Sequence, residues 1–149
     1  MTIPRAPLSL GLAGLIPFIW GAVTVVNGDL ALWTAQTLGP RFAGPYVMFF
    51  YGAIFLSFMS GVLWGFATRL DGQQAATGYA LSVLPALWAF FMVGDGPTSA
   101  GISLMAGFAG LLGLDWLFWH HGAAPEWWMR LRVLLTSVVL ICLSIGVFL

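Results

Sequence analysis

The sequence has very little charge and no lysine. Of its 149 residues, 7% are charged and 60% are hydrophobic, whereas an ordinary soluble domain has about 25% charged residues. Five arginines balance five acidic residues, so the formal net charge is zero. Because there is no basic surface, we expect no nucleic-acid partner. The composition indicates a protein that lies almost entirely within a membrane.

Residues that commonly carry chemistry are also scarce. Cys142 is the single cysteine, so neither an intramolecular disulfide nor a paired redox site is possible. His120 and His121 are adjacent, and adjacent residues on a helix point in different directions and chelate poorly. The sequence has no paired-acid motif, nucleophile motif or phosphate-binding loop. We therefore expect no enzyme, no metal and no resident cofactor, although a bound lipid or quinone is possible.

Five apolar stretches each approach the roughly 20 residues that cross a bilayer as a helix. They predict an all-α integral membrane protein with a single transmembrane domain over residues 1–149. The predicted spans are 8–26, 46–68, 77–94, 99–119 and 129–149.

Prolines and polar residues punctuate these spans. Pro17 and Pro85 predict kinks within the first and third spans. Residues 30–44 are too polar and too short to cross, and they predict an interfacial segment with Asp29 as its N-cap. A tight turn is predicted at Asp95.

The arginines predict the orientation of the chain. With five spans, Arg5, Arg69, Arg130 and Arg132 lie on one side of the membrane, and Arg41 lies on the other. Positively charged residues concentrate on the cytoplasmic side. The N-terminus is therefore predicted to be cytoplasmic and the C-terminus periplasmic, in a bacterial inner membrane.

Asp115 is an acidic residue inside the fourth predicted span. A carboxylate at the centre of a membrane helix costs about 2.5–3.5 kcal/mol on insertion scales, so it needs a partner. In a hairpin of the last two spans, Arg130 is level with Asp115, and Arg132 is the next candidate. The pattern fits either a structural ion pair between these helices or a polar site that binds a ligand.

Small residues recur along the second span. Ala53, Ser57, Gly61 and Gly65 are four residues apart and share one face of a helix. In lipid, such a face lets a second helix approach closely. The face predicts a helix-packing groove, filled either by this chain or by another protein.

Three tryptophans are candidates for contacts with a partner. Trp20 and Trp88 lie deep in their spans, and Trp116 lies near the end of the fourth. Interfacial tryptophans most often form an aromatic belt at headgroup depth. The alternative is an aromatic wall of a site for a quinone, tetrapyrrole or lipid.

Four motifs together carry a family resemblance: R-A-P-L-S-L-G-L-A-G-L-I-P-F at Arg5–Phe18, Y-G-A-I-F-L-S-F-M-S-G-V-L-W-G at Tyr51–Gly65, L-S-V-L-P at Leu81–Pro85 and P-E-W-W-M-R-L-R at Pro125–Arg132. With these motifs the chain resembles the domain-of-unknown-function family 3429. The resemblance implies a small bacterial inner-membrane protein with a mitochondrial transmembrane relative. It implies no activity and no catalytic residue, and its spread suggests an energy-transducing membrane.

Three functions remain open. Little mass outside the membrane and little site chemistry favour a non-catalytic accessory or assembly subunit of a larger respiratory or photosynthetic complex. Its partners are then membrane lipids and other integral membrane subunits. The alternative is a small transporter or binder of a hydrophobic ligand such as quinone or lipid, with its polar site at the cytoplasmic end of spans four and five. A membrane enzyme acting on lipid or quinone is favoured least, because two or more converging titratable groups are then expected.

Overall fold

A computed structural model describes residues 2–94 and 96–149, apart from the side chain of Pro97. Every regular element in these ranges is helical. The α-helices are α1 Arg5–Ala13, α2 Ile16–Val26, α3 Gly28–Thr37, α4 Pro45–Ala67, α5 Gly72–Ser82, α6 Leu84–Met92, α7 Pro97–His120 and α8 Trp128–Phe148, and a short 3-10 turn covers Pro40–Phe42.

These helices make five units that are long and apolar enough to cross a membrane. Two of the units are interrupted helices, α1 with α2 and α5 with α6, and the other three are α4, α7 and α8. The five-span, all-α prediction is therefore confirmed. The third span begins at Gly72, five residues before its predicted start. The predicted turn at Asp95 lies outside the described residues.

Both interruptions lie next to a proline. Pro17 is in the first turn of α2 and Pro85 is in the first turn of α6. A proline has no N–H to donate, and its ring crowds the preceding turn of a helix. The regular helical hydrogen bonding consequently lapses just before each proline, at the predicted places. Gly14, Leu15 and Val83 keep right-handed helical dihedrals, so each span remains one continuous unit.

Side-chain hydroxyls from neighbouring helices satisfy backbone groups at such points. Ser60 Oγ on α4 accepts a hydrogen bond from Ala86 N in the first turn of α6, at 2.8 Å. Thr24 Oγ1 on α2 accepts one from Gly44 N, just before α4, at 2.7 Å. Because a buried N–H without an acceptor is costly, these hydroxyls attach the helix starts to the bundle.

The segment between α2 and α4 forms a short helix, but its cap differs from the predicted one. The Asn27 side chain accepts a hydrogen bond from Leu30 N at 3.0 Å, so Asn27 is the N-cap. Asp29 lies within the first turn of α3, and its predicted role as the cap is wrong. The cap comes from the residue just before the first helical one, because only there does a side chain face the free N–H groups.

Helix α4 is the centre of the bundle and packs against α2, α5, α6, α7 and α8. Its inward face carries Gly52, Leu56, Ser60 and Leu63, which are all buried. A methyl group at Gly52 would lie 3.1 Å from a Leu104 methyl on α7, so glycine brings these two helices close together. The small residue that packs inside the bundle is thus offset by one position from the predicted stripe.

Candidate functional site

The candidate site is a buried ion pair that joins α7 to α8. Asp115 is fully buried and Arg132 is 2% exposed. Arg132 Nε donates to Asp115 Oδ2 at 2.8 Å, and Trp128 Nε1 donates to Asp115 Oδ1 at 3.0 Å. Both carboxylate oxygens therefore have a donor, as a charge buried in a membrane requires.

The carboxylate pairs with Arg132, the second of the two predicted arginines. Arg130, which the sequence analysis placed level with Asp115, lies on the exposed side of α8. Elsewhere in the same hairpin Gly101 lies beside Val147, which is nearly the register that pairs Asp115 with Arg132. The hairpin is centred about one residue later than the sequence analysis assumed, and this shift selects Arg132.

An apolar groove lies beside this ion pair, between α1, α4 and α8. Its volume is about 570 Å³, and Arg132 is one of its lining residues. We call it the Arg132 groove, and its lining comprises Pro7, Leu10, Gly11, Gly14, Tyr51, Ile54, Phe55, Phe58, Met59, Val62, Phe66, Pro125, Trp127, Trp128, Leu131, Arg132 and Leu135. Leu10 and Phe58 are 74% and 65% exposed, so the groove opens sideways toward lipid.

The Arg132 guanidinium has hydrogen-bonding capacity that the ion pair does not use. An arginine carries five N–H donors, and over the described residues the only hydrogen bond of this side chain is the one from Nε to Asp115. Within the same ranges, Thr136 Oγ1 is the one buried side-chain polar atom without a partner. The terminal nitrogens of Arg132 therefore have no acceptor in the described part of the chain, and Arg132 is a lining residue of the groove.

Aromatic rings surround this end of the groove. The rings of Phe66 and Trp128 meet edge to face, with centroids 5.0 Å apart, and the rings of Trp127 and Trp128 are 6.0 Å apart. The Arg132 guanidinium carbon lies 6.0 Å from the Trp128 ring centroid. The donor end of the groove is thus lined by flat, polarisable surfaces.

A second groove of similar size lies between α6 and α7. Its volume is about 600 Å³, and we call it the Trp88 groove after the largest of its lining residues, which are Leu84, Pro85, Leu87, Trp88, Phe91, Met92, Ala106, Gly107, Gly110, Leu111 and Leu114. These side chains are apolar apart from the indole N–H of Trp88, which donates to Ser103 O at 2.6 Å. The Trp88 groove therefore offers shape and apolar contact but no unused donor from its side chains.

The predicted small-residue groove lies on the outward side of α4. Ser57, Gly61 and Gly65 are exposed, and Ala53 is half-buried. Apart from the adjacent backbone of α4 itself, no atom of the described chain lies within 4 Å of the position that a Cβ would take at Gly61 or Gly65. This chain therefore does not fill the predicted groove itself.

The three predicted tryptophans occupy different places and do not come together. Trp20 Nε1 donates to Phe42 O at 3.0 Å, which ties the segment after α3 to α2. Trp88 contributes to the second groove. Trp116 is exposed and stacks on His120 at 4.8 Å, as expected for a residue of an aromatic belt.

Trp128 was not predicted to belong to the site, although its spacing from Arg132 is a signal for it. Trp128 and Arg132 are four residues apart and therefore share a helix face. Leu135 and Val139 continue that face, and both are buried. An inward face defined by these leucine and valine positions selects Arg132 over Arg130.

Comparisons with known proteins confirm the family. The family described as protein of unknown function (DUF3429) matches residues 3–148. The chain is 33% identical over 149 residues to Transmembrane protein 69 of Xenopus tropicalis, covering 94% of this chain and 53% of that protein. It is 29% identical over 143 residues to Transmembrane protein 69 of Mus musculus, covering 93% and 54%. The chain therefore spans about half the length of the curated relatives that it matches. No solved structure matches it. By the family match over nearly its whole length, this chain belongs to the DUF3429 family of proteins of unknown function.

Proposed function

We propose that this protein binds a hydrophobic ligand in the Arg132 groove, with the polar end of the ligand at Arg132. The observation that carries the proposal is the unused donor capacity of a guanidinium that is almost fully buried and lines an apolar groove. A buried donor without an acceptor is costly, so a ligand that supplies an acceptor is stabilised there. The groove volume also falls within the usual range of about 300–1,000 Å³ for small-molecule sites.

We also propose which end of the helix bundle faces the cytoplasm and in which membrane the protein lies. The Arg69 guanidinium donates to Ala123 O at 3.5 Å, so the connectors before α5 and before α8 lie at one end of the bundle. Four of the five arginines belong to this end by topology. The positive-inside tendency supports a cytoplasmic location for this end in a bacterial inner membrane. Reporter fusions at residues 70 and 149 test this orientation, and activity of a periplasmic reporter at 70 contradicts it.

The direct test is an inventory of the small molecules that leave the membrane with the protein. The protein is extracted with a polymer that cuts out native lipid discs, and the contents are compared with the bulk membrane by mass spectrometry. We expect one amphiphile to be enriched around the protein. A composition equal to that of the bulk membrane contradicts the proposal.

A pair of variants locates the binding. Val62→Phe adds bulk inside the Arg132 groove, whereas Ile102→Phe adds similar bulk at an exposed position of α7 outside both grooves. We expect Val62→Phe to abolish the enrichment and Ile102→Phe to leave it unchanged. Equal enrichment in both variants contradicts a site in this groove.

A second function is favoured by a separate observation, the open face of α4. Gly61 and Gly65 have no neighbour in the described chain at their Cβ positions, and membrane helices associate closely through such small residues. The proposed occupant is a transmembrane helix of another integral membrane subunit. The protein would then be a non-catalytic accessory or assembly subunit, and the family resemblance to bacterial and mitochondrial proteins suggests an energy-transducing complex.

Sizing of the assembly from native membranes tests this second function. Gly61→Leu and Gly65→Leu place a large side chain on the open face, and Gly110→Leu is a matched control on α7, where Gly110 also has no neighbour within 4 Å. We expect the first two variants to release a stoichiometric partner while the control keeps it. A single small species from the wild-type membrane contradicts the subunit function.

A further inference from the structure

We infer that the ligand of the Arg132 groove is a long-chain quinone, a neutral flat ring whose carbonyl oxygen accepts a hydrogen bond from Arg132. This inference rests on the proposed function, because it names the ligand class of the same site. Three observations carry it: the charge balance around Arg132, the aromatic walls beside it, and the length of groove that continues past it.

The charge balance around Arg132 favours a ligand with a neutral head group. The Arg132 positive charge is already compensated by Asp115, and both side chains are at least 98% buried. A carboxylate or phosphate placed here would leave an uncompensated negative charge away from water, which is strongly unfavourable. A carbonyl oxygen accepts from the terminal N–H groups and adds no charge, so it fits the arrangement.

The aromatic lining of the groove favours a ligand whose head group is a conjugated ring over one whose head group is a simple ester. Phe66, Trp127 and Trp128 all line the groove at its Arg132 end. Flat conjugated rings gain from offset or edge contacts with aromatic side chains, beyond the burial of their area. A quinone carries its carbonyl on such a ring. A single head group can therefore accept a hydrogen bond from Arg132 and pack against the aromatic side chains.

The register of α4 against α8 gives the direction of the tail. Phe66 lies beside Trp128 at one end, and Met48 lies beside Gly146 at the other. This register places Val62 opposite Arg132. The groove continues along α4 from Val62 to Tyr51, which is about 16 Å at 1.5 Å per residue. An apolar tail occupies this length and leaves sideways into lipid past Phe58.

The experiment measures retention of decylubiquinone by the purified full chain in lipid nanodiscs, relative to empty nanodiscs. Palmitate supplies a charged head on an apolar tail, and monoolein supplies an ester carbonyl without a ring. We expect decylubiquinone to be retained above the empty discs, and neither palmitate nor monoolein to displace it at equal concentration.

Two variants test the residues while protecting the fold. The double variant Asp115→Asn with Arg132→Met removes both charges together and keeps an acceptor for Trp128. The second variant, Val62→Phe, leaves the ion pair in place and fills the head position. We expect each to lower retention by about tenfold or more, the double variant because the quinone loses a hydrogen bond to a charged donor, and Val62→Phe because the added ring occupies the head position. Arg130→Met, two residues away on the exposed side of α8, is the control and is expected to retain the quinone.

The possible results separate the inference from the proposed function. Retention or displacement by palmitate or monoolein equal to that of the quinone overturns the assignment of a quinone, but leaves a hydrophobic ligand in the groove. Retention of none of the three above empty discs overturns both. Full quinone retention by the double variant, with an unchanged elution profile on size exclusion, overturns the part assigned to Arg132.

Discussion

Two grooves of this protein have nearly the same volume and very different chemistry. The Arg132 groove and the Trp88 groove measure about 570 and 600 Å³. In the Trp88 groove the one polar side-chain group, the indole N–H, is already bonded to Ser103 O. In the Arg132 groove a guanidinium keeps donors for an acceptor that the described part of the chain does not supply.

The difference shows that volume alone does not identify a binding site in a membrane protein. Any apolar groove that faces lipid fills with acyl chains, so an apolar lining carries no selectivity. A hydrogen-bond donor in a low-dielectric groove does give selectivity, because leaving that donor without an acceptor costs about 1–3 kcal/mol. Variants in each groove test this contrast.

The largest expected effect follows from breaking the ion pair on one side only. Arg132→Met leaves the Asp115 carboxylate buried without its cation, and we expect the free energy of unfolding to fall by about 3–5 kcal/mol. The double variant Asp115→Asn with Arg132→Met removes both charges and should lose far less. Unfolding in mixed micelles measures both. Equal losses for the single and double variants contradict a buried ion pair at this site.

The next effect concerns the wall of the Trp88 groove. A Cβ at Gly107 would lie 2.7 Å from Trp88 Cδ1 and 3.0 Å from a Leu56 methyl. Gly107→Ala should therefore destabilise the protein by about 1–3 kcal/mol, as overpacking does. Gly110→Ala, in the same groove but with open space around it, is the control and should be neutral or slightly stabilising. If both variants unfold at the same midpoint, α6 and α7 are less closely packed at Gly107.

A smaller effect is expected from the indole of the same groove. Trp88→Phe removes the hydrogen bond to Ser103 O, and we expect a loss of about 0.5–1.5 kcal/mol in unfolding free energy. Trp116→Phe, which changes an exposed residue, should cost less than about 0.5 kcal/mol. Neither variant should alter ligand retention by the Arg132 groove. Loss of the ligand in Trp88→Phe would show that the ligand binds in the Trp88 groove and not in the Arg132 groove.

A large side chain in the Trp88 groove is expected to leave ligand binding unchanged. Gly110→Leu places an isobutyl group in the Trp88 groove without contacting the ion pair. We expect the enrichment of the copurified amphiphile to stay at the wild-type level, while Val62→Phe abolishes it. Reduced enrichment in Gly110→Leu would show that the two grooves are not chemically distinct.

The fold was largely readable from the sequence because membrane spans have strong local signals. Each span is about 20 apolar residues, and Pro17 and Pro85 mark both helix interruptions. The cap before α3 was misassigned, since Asn27 and Asp29 both suit a cap and only the local geometry separates them.

The candidate site was readable only in part. Asp115 stood out as a buried acid, but the choice between Arg130 and Arg132 depends on a shift of one residue in the α7–α8 connector. The groove could not be predicted, because α1, α4 and α8 meet there from distant parts of the chain. Sequence periodicity defines the face of one helix and does not say which other helices leave a gap beside it.

Photocrosslinking in native membranes compares the occupants of the two grooves. A photoreactive amino acid is placed at Ile54, which lines the Arg132 groove, and at Leu87, which lines the Trp88 groove, and both variants are irradiated in native membranes. Mass spectrometry then identifies the small molecules attached at each position. The account predicts ordinary membrane lipids at Leu87 and an additional enriched species at Ile54 that the double variant Asp115→Asn with Arg132→Met removes. The same mixture of lipids at both positions would contradict it.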